Sequence, residues 1–122
     1  MARRYDLEER LVRFGAEMCR LAEQLPSTTT GKHLANQVIR SSTSPIGHYG
    51  EVQGAESRRD FIHKLGMCLK ELRETGAWLK LIAKLDLCPR EALDAALTEC
   101  DQLIRIAAVS IRTARRNQPS GP

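Results

Sequence analysis

Arg40-Ser-Ser-Thr-Ser-Pro-Ile-Gly-His-Tyr-Gly-Glu51 is the stretch on which the fold turns. Its hydroxyl run, proline and glycines favour a loop, because Ser and Thr compete for backbone hydrogen bonds and Gly and Pro disfavour helix interiors. The flanking residues argue for helix. Leu34, Ala35, Val38 and Ile39 precede it at helical spacing, and the same strips continue through Ser41, Ser42, Pro45, Ile46, Tyr49 and Val52. Ser44-Pro45 either ends one helix and caps another, or kinks a continuous helix at a cost of roughly 3 kcal/mol. We expect the continuous helix, with Arg40 and Glu51 paired, and Ser41 and Ser42 bonded to backbone or to neighbouring carboxylates. Gly47, Gly50 and Gly54 lie on one strip, which predicts close approach of another helix; a weak helix end is the plainer alternative.

Working outward, Leu7, Leu11, Phe14, Met18, Leu21 and Leu25 step by fours and threes, a bundle seam on a helix over about 6–25 capped by Asp6 with Glu9. Pro26 and the following Ser/Thr/Gly cluster end it. The second helix spans about 30–55. Ser57 with Asp60 forms another capping box for a helix over 57–85, whose seam is Phe61, Leu65, Cys68, Leu72, Thr75, Leu79 and Ile82. A neighbouring strip puts Glu71 and Glu74 on one face with Trp78. The fourth helix, 89–116, starts at Pro89 and turns Leu93, Leu97, Cys100, Ile104, Ala107 and Ile111 inward. Residues 117–122 read as a disordered tail. Four long helices with short connections predict an all-α, antiparallel up-down-up-down four-helix bundle, one domain over 1–116.

Composition agrees. Aromatic residues are 4% of the chain, so the core must be aliphatic, which suits helices better than a sandwich. No apolar run approaches the ~20 residues of a membrane span, and the amino terminus has no signal-peptide pattern; a cytoplasmic protein without membrane attachment is expected. Cys19, Cys68, Cys88 and Cys100 are too dispersed for a zinc motif and read as reduced core thiols.

The topology localises the charge. The start of the first helix, the second turn and the end of the fourth helix must meet at one end of the bundle. That end carries ten basic and six acidic residues, whereas the rest balances nine against nine, so the whole formal excess of +4 lies there. Arg10, Arg13 and Arg20 share a face of the first helix, and its neighbour ends in Arg112, Arg115 and Arg116. With Arg3 and Arg4 they form a candidate array for a phosphate backbone; arginines at a helix C-terminus also complement the macrodipole. Aromatic partners are scarce there, which favours phosphate contact over base reading.

Catalysis is not expected. A di-metal bundle needs paired Glu-x-x-His motifs, and no second His follows an acid at that spacing. Pairing of Glu71 and Glu74 with Arg40, or with a neighbouring subunit, is the expectation. No nucleophile elbow, Walker loop or dinucleotide fingerprint occurs. Neither cofactor nor metal is expected.

The chain resembles the four-helix-bundle proteins associated with intervening sequences in bacterial 23S ribosomal RNA genes. The resemblance rests on Tyr5-Asp-Leu-Glu-Glu-Arg10, Ile39 to Glu51, Glu56-Ser-Arg-Arg-Asp-Phe-Ile-His-Lys-Leu65 and Leu69-Lys-Glu-Leu-Arg-Glu-Thr-Gly-Ala-Trp-Leu79. It implies a left-handed bundle that assembles as a homo-oligomer, typically a pentamer, with relatives that serve as accessory proteins of diversity-generating retroelements and bind a reverse transcriptase and nucleic acid. It carries over no catalytic residues. Gly47-His48 stands where the family often has a small residue and then Asn. Two functions follow: a non-catalytic oligomer that binds RNA or DNA, or an adaptor for a protein partner such as a reverse transcriptase. Arg40, Ser42, Pro45, Gly47, Tyr49, Gly50, Glu51, Glu71, Glu74 and Trp78 are the expected structural or subunit contacts.

Overall fold

The structure, a computed structural model, describes residues 3–117, and side chains from residue 7 onward. Of the expected tail at 117–122, Asn117 is the ordered C-cap residue of the fourth helix, its N–H donating to the Thr113 carbonyl at 3.1 Å, and residues 118–122 lie outside the described residues. Four helices follow one another: α1 (Arg3–Glu23), α2 (Thr29–Gln53), α3 (Arg58–Leu85) and α4 (Arg90–Arg116). Among the described residues each helix backbone lies close to its two ring neighbours and not to the one across, and α1 against α4 is the thinnest contact. Short connections between adjacent helices make the neighbours antiparallel.

Three ends depart from expectation. Helix α1 is already helical at Arg3, so Asp6 lies inside it and does not cap it. Thr28 caps α2, accepting from the Gly31 N–H at 3.0 Å. A side chain on Gly31 would sit 2.0 Å from the Pro26 carbonyl oxygen, so the turn closes only on glycine. Ser57 caps α3 through the Asp60 N–H as predicted, but the reciprocal arm of Asp60 takes the Glu56 N–H at 3.3 Å. Pro89 is the N-cap of α4 rather than its first residue.

Helix α2 runs unbroken through Pro45. Pro45 has no N–H for the Ser41 carbonyl, yet the hydroxyl run secures the surrounding turns. Thr43 Oγ1 donates to the Ile39 carbonyl at 2.7 Å and Ser44 Oγ to the Arg40 carbonyl at 2.8 Å. Such back-bonding slightly destabilises a helix on its own. Packing supplies the rest: Ser41, Ser42, Pro45, Tyr49 and Val52 are buried.

The core follows the seams of α1 and α3 closely, and on α4 Leu93, Cys100, Ala107 and Ile111 turn inward as predicted, with two positions exchanged. Ala96 and Leu103 point inward, whereas Leu97 and Ile104 are only partly buried. Close helix approach occurs not at the α2 glycine strip but at Gly15, where a Cβ would meet Ile46 Cδ1 at 2.9 Å and the Ser42 carbonyl at 3.4 Å. Gly47, Gly50 and Gly54 are exposed, and Gly47 and Gly50 have open space beyond them. Their strip faces away from the bundle, which corrects the expectation of a partner helix within the chain.

Cys68 and Cys100 are buried, and their thiols donate to the Pro45 carbonyl on α2 and the Leu72 carbonyl on α3. Burial pushes both thiols up to about 12, so they are neutral packing groups. No helix among the described residues is long and apolar enough to cross a membrane.

Candidate nucleic-acid interface

Polar side chains gather at three seams, and each treats its cations differently. At the α2–α3 seam, Arg40 reaches across to Glu71 at 3.4 Å and makes a second ion pair with Glu74. Gln37, one turn earlier, accepts from the same guanidinium at 2.8 Å. The Trp78 indole N–H donates to Glu74 at 3.2 Å, and the Trp78 and His33 rings stand perpendicular with centroids 6.2 Å apart. Beneath them the buried Ser41 and Thr75 hydroxyls share a hydrogen bond of 2.8 Å. Partial desolvation raises the Glu74 carboxyl, but hydrogen bonds from Trp78 and Arg40 and the charge of Arg40 hold it, in sum, below its ordinary value.

This network replaces the expected Arg40–Glu51 pair. Eleven residues along one helix separate those two by about 16 Å at 1.5 Å per residue, beyond side-chain reach. Ser41 correspondingly bonds a hydroxyl, neither backbone nor carboxylate. Ser42, Pro45 and Tyr49 are buried within the bundle, Trp78, Glu71 and Glu74 are half-buried, and Gly47, Gly50 and Glu51 stand exposed.

At the α1–α4 seam, Arg10 makes a forked pair with Glu99, at 2.8 and 3.0 Å, and donates to Gln102 at 2.9 Å. It acts there as a bracket for the thinnest seam. Arg13 pairs with Glu9 at 3.2 Å on the surface. Arg20 is exposed but lies towards the other end. Ten residues of α1 one way from Arg10, and thirteen of α4 the other way from Glu99, put Arg20 about 35 Å from Arg112 along the axis. The side chains of Arg3 and Arg4 fall outside the described set. The predicted α1/α4 array is therefore divided, with Arg10 and Arg13 already neutralised.

The α3–α4 seam is different. A groove of about 390 Å³ opens there, lined by Ile62, Gly66, Leu69 and Arg73 from α3 and by Ala108, Ile111, Arg112 and Arg115 from α4. It contains three arginines and no carboxylate. A second hollow of about 340 Å³ shares Arg73 and continues past Gly76, Ala77 and Lys80 to Leu97, Asp101 and Ile104. Asp101, the acid there, pairs with Arg105 at 3.3 Å. Arg73 was absent from the sequence-based array because its interest comes from what faces it on α4, not from any local pattern. The available signal was negative: no acid stands three or four residues from Arg73, Arg112 or Arg115.

Where α2, α3 and α4 meet at the bundle end, a further hollow of about 630 Å³ is floored by Leu7, Tyr49, Val52 and Phe61. Arg58 spans it, donating to the Ala114 carbonyl at 3.4 Å. No three His, Cys, Asp or Glu side chains among the described residues converge as a metal site.

Comparison with known proteins agrees with this architecture. The family model described as 23S rRNA-intervening sequence protein matches residues 4–109. The chain is similar to a solved structure of a protein with unknown function from the S23 ribosomal protein family of Bacteroides thetaiotaomicron VPI-5482. The two are 25% identical with a TM-score of 0.83, and the match covers 91% of this chain and 99% of that one. No curated protein matches significantly.

Proposed function

The chain belongs to the 23S rRNA-intervening sequence protein family, and on that premise we propose that it is a non-catalytic protein that binds the phosphate backbone of RNA or DNA. What supports this reading is the placement of the arginines that have no partner among the described residues. Arg73, Arg112 and Arg115 share one acid-free groove, and Arg116 follows on the exposed end of α4. Cations left without neutralising neighbours release counterions from a polyanion, whereas paired ones such as Arg10 and Arg40 do not gain as much. Arg3 and Arg4 belong to the same end of the bundle by topology and add to its charge.

The test is fluorescence anisotropy with labelled RNA and DNA at about 50 and 200 mM salt. Three or more phosphate contacts give roughly a tenfold or greater loss of affinity over that interval. Affinity that does not change with salt would refute the proposal.

A second reading has its own support. Gly47, Gly50 and Gly54 leave a bare exposed strip on α2, a surface that another backbone can approach closely. We infer that the chain forms a homo-oligomer, a pentamer in keeping with the resemblance, and that an adaptor role towards a protein such as a reverse transcriptase is the alternative function. Light scattering at micromolar concentration tests the assembly: a monomer rules it out. With either reading we propose a cytoplasmic location.

A further inference from the structure

We propose that the groove between α3 and α4 takes a single, unpaired strand of nucleic acid, with phosphates on Arg73, Arg112 and Arg115 and bases against the apolar floor. The inference rests on the nucleic-acid reading above and specifies its site and the form of the ligand.

Four observations carry it. The first is charge: three guanidiniums line the groove without a carboxylate, and the one acid in its continuation is already held by Arg105. The second is shape. Gly66 and Ala108 leave the space between the helices unfilled, and a Cβ on Gly66 would meet nothing within 4 Å.

The third is chemistry of the floor. Ile62, Leu69, Leu97 and Ile104 are partly buried along it, apolar surface that a base can cover but a phosphate cannot use. Aromatic platforms are missing from the lining, so bases would lie on aliphatic side chains and on guanidinium planes. This favours sequence-tolerant binding.

The fourth is dimension. From Leu97 to Arg115 the groove follows eighteen residues of α4, about 27 Å at 1.5 Å per residue, enough for several nucleotides. Its width is set by two packed helices with axes about 8–10 Å apart. A duplex keeps its base faces stacked inside and offers only edges and phosphates, so it can set phosphates on the rim but cannot lay bases on the apolar floor.

RNA and single-stranded DNA offer the same phosphodiester and base faces, and the test separates them. Anisotropy is measured with a labelled uridine-rich single strand, the DNA of matching sequence, and the corresponding duplex. Three variants accompany the parent chain. Arg73→Ala removes a charge from the groove. Gly66→Met fills the groove without changing charge, and Met is the better helix former, so thermal melting by circular dichroism should show no loss of fold. Arg90→Ala removes an exposed cation at the far end of α4.

Arg73→Ala and Gly66→Met should each weaken single-strand binding by about fivefold or more, while Arg90→Ala stays within about twofold. Arg73→Ala should also reduce the salt slope by about one. Equal loss for RNA and DNA supports the shared chemistry; a preference for RNA adds a 2′-hydroxyl contact to it.

If the parent binds but Gly66→Met binds as well, the groove is not the seat, and the nucleic-acid reading stands without it. Tighter binding of the duplex overturns the single-strand assignment. Loss of oligomeric state in Gly66→Met, seen by light scattering, would give the groove to a second copy of the chain instead. A parent that binds none of the three probes overturns this inference and the broader reading together.

Discussion

On its α2 side, helix α3 presents Glu71 and Glu74 to Arg40, with Trp78 and Gln37 completing the hydrogen bonds. On its α4 side, a third of a turn away, it presents Arg73 to a groove whose other cations are Arg112 and Arg115. One surface satisfies its charges within the bundle and so contributes to holding it together. The other leaves them unsatisfied at no apparent benefit to folding, since like charges gathered in a cleft repel. Function is the economical reading of the second surface and structure of the first. The difference comes from which helix faces α3, because its own sequence supplies acids to one side and a lone arginine to the other.

The sharpest reference point lies between the two surfaces. Leu72 is 1% exposed at the centre of α3, and Leu72→Ala should cost about 2–5 kcal/mol in urea unfolding. A loss near zero would mean that the seam is not the core on which both surfaces are mounted.

Next comes the buried hydroxyl pair of the satisfied side. Thr75→Val keeps shape but strands the Ser41 hydroxyl, and should cost about 1–3 kcal/mol. Adding Ser41→Ala should restore part of that loss; a double variant as unstable as the sum of the singles would deny the coupling.

Arg40→Ala should then cost about 1 kcal/mol, the scale of a partly exposed, multiply bonded ion pair. Its pH dependence has a defined sign. The Glu74 carboxyl is depressed in the folded chain relative to 4.5, so its stabilisation is complete above that value and is lost as the pH falls through the folded-state range. The stability gap between parent and Arg40→Ala should therefore narrow below about pH 4.5. A gap that widened on acidification would reverse the assignment.

The smallest effect belongs to the unsatisfied side. Arg73→Ala should alter stability by no more than about 0.5 kcal/mol, although it weakens nucleic-acid binding. Should Arg73→Ala destabilise the chain as much as Arg40→Ala, the two surfaces would not differ in kind.

Much of the bundle was legible beforehand because periodicity is a local property. The α1 seam was correct residue by residue and the α3 seam from Leu65 to Ile82, with Phe61 only partly buried at the bundle end, since Leu, Phe and Ile at threes and fours admit one burial face. In α4 the pattern was ambiguous. Leu97 and Ile104 compete with Ala96 and Leu103 for the inward position, and which pair wins depends on the angle at which α3 meets α4. The cap at Asp6 failed because α1 continues back to Arg3, so a capping spacing can occur inside a helix.

What the amino-acid sequence determined by itself was the number of helices, their order and most of their inward faces, together with the end of the bundle that holds the excess charge. These depend on spacing along one chain and on short connections. What the tertiary structure alone decided was which charges are already spent. Arg10 finds Glu99 eighty-nine residues away, Arg40 finds Glu71 and Glu74, and Arg73 shares its groove with Arg112 and Arg115 and makes no ion pair among the described residues. It also decided the fate of Arg40–Glu51, which stays helical with Ser41, Ser42 and Pro45 buried against the neighbouring helices, while its glycines turn outward. Coulombic partners and burial are set by distances between helices, and a linear sequence does not contain them.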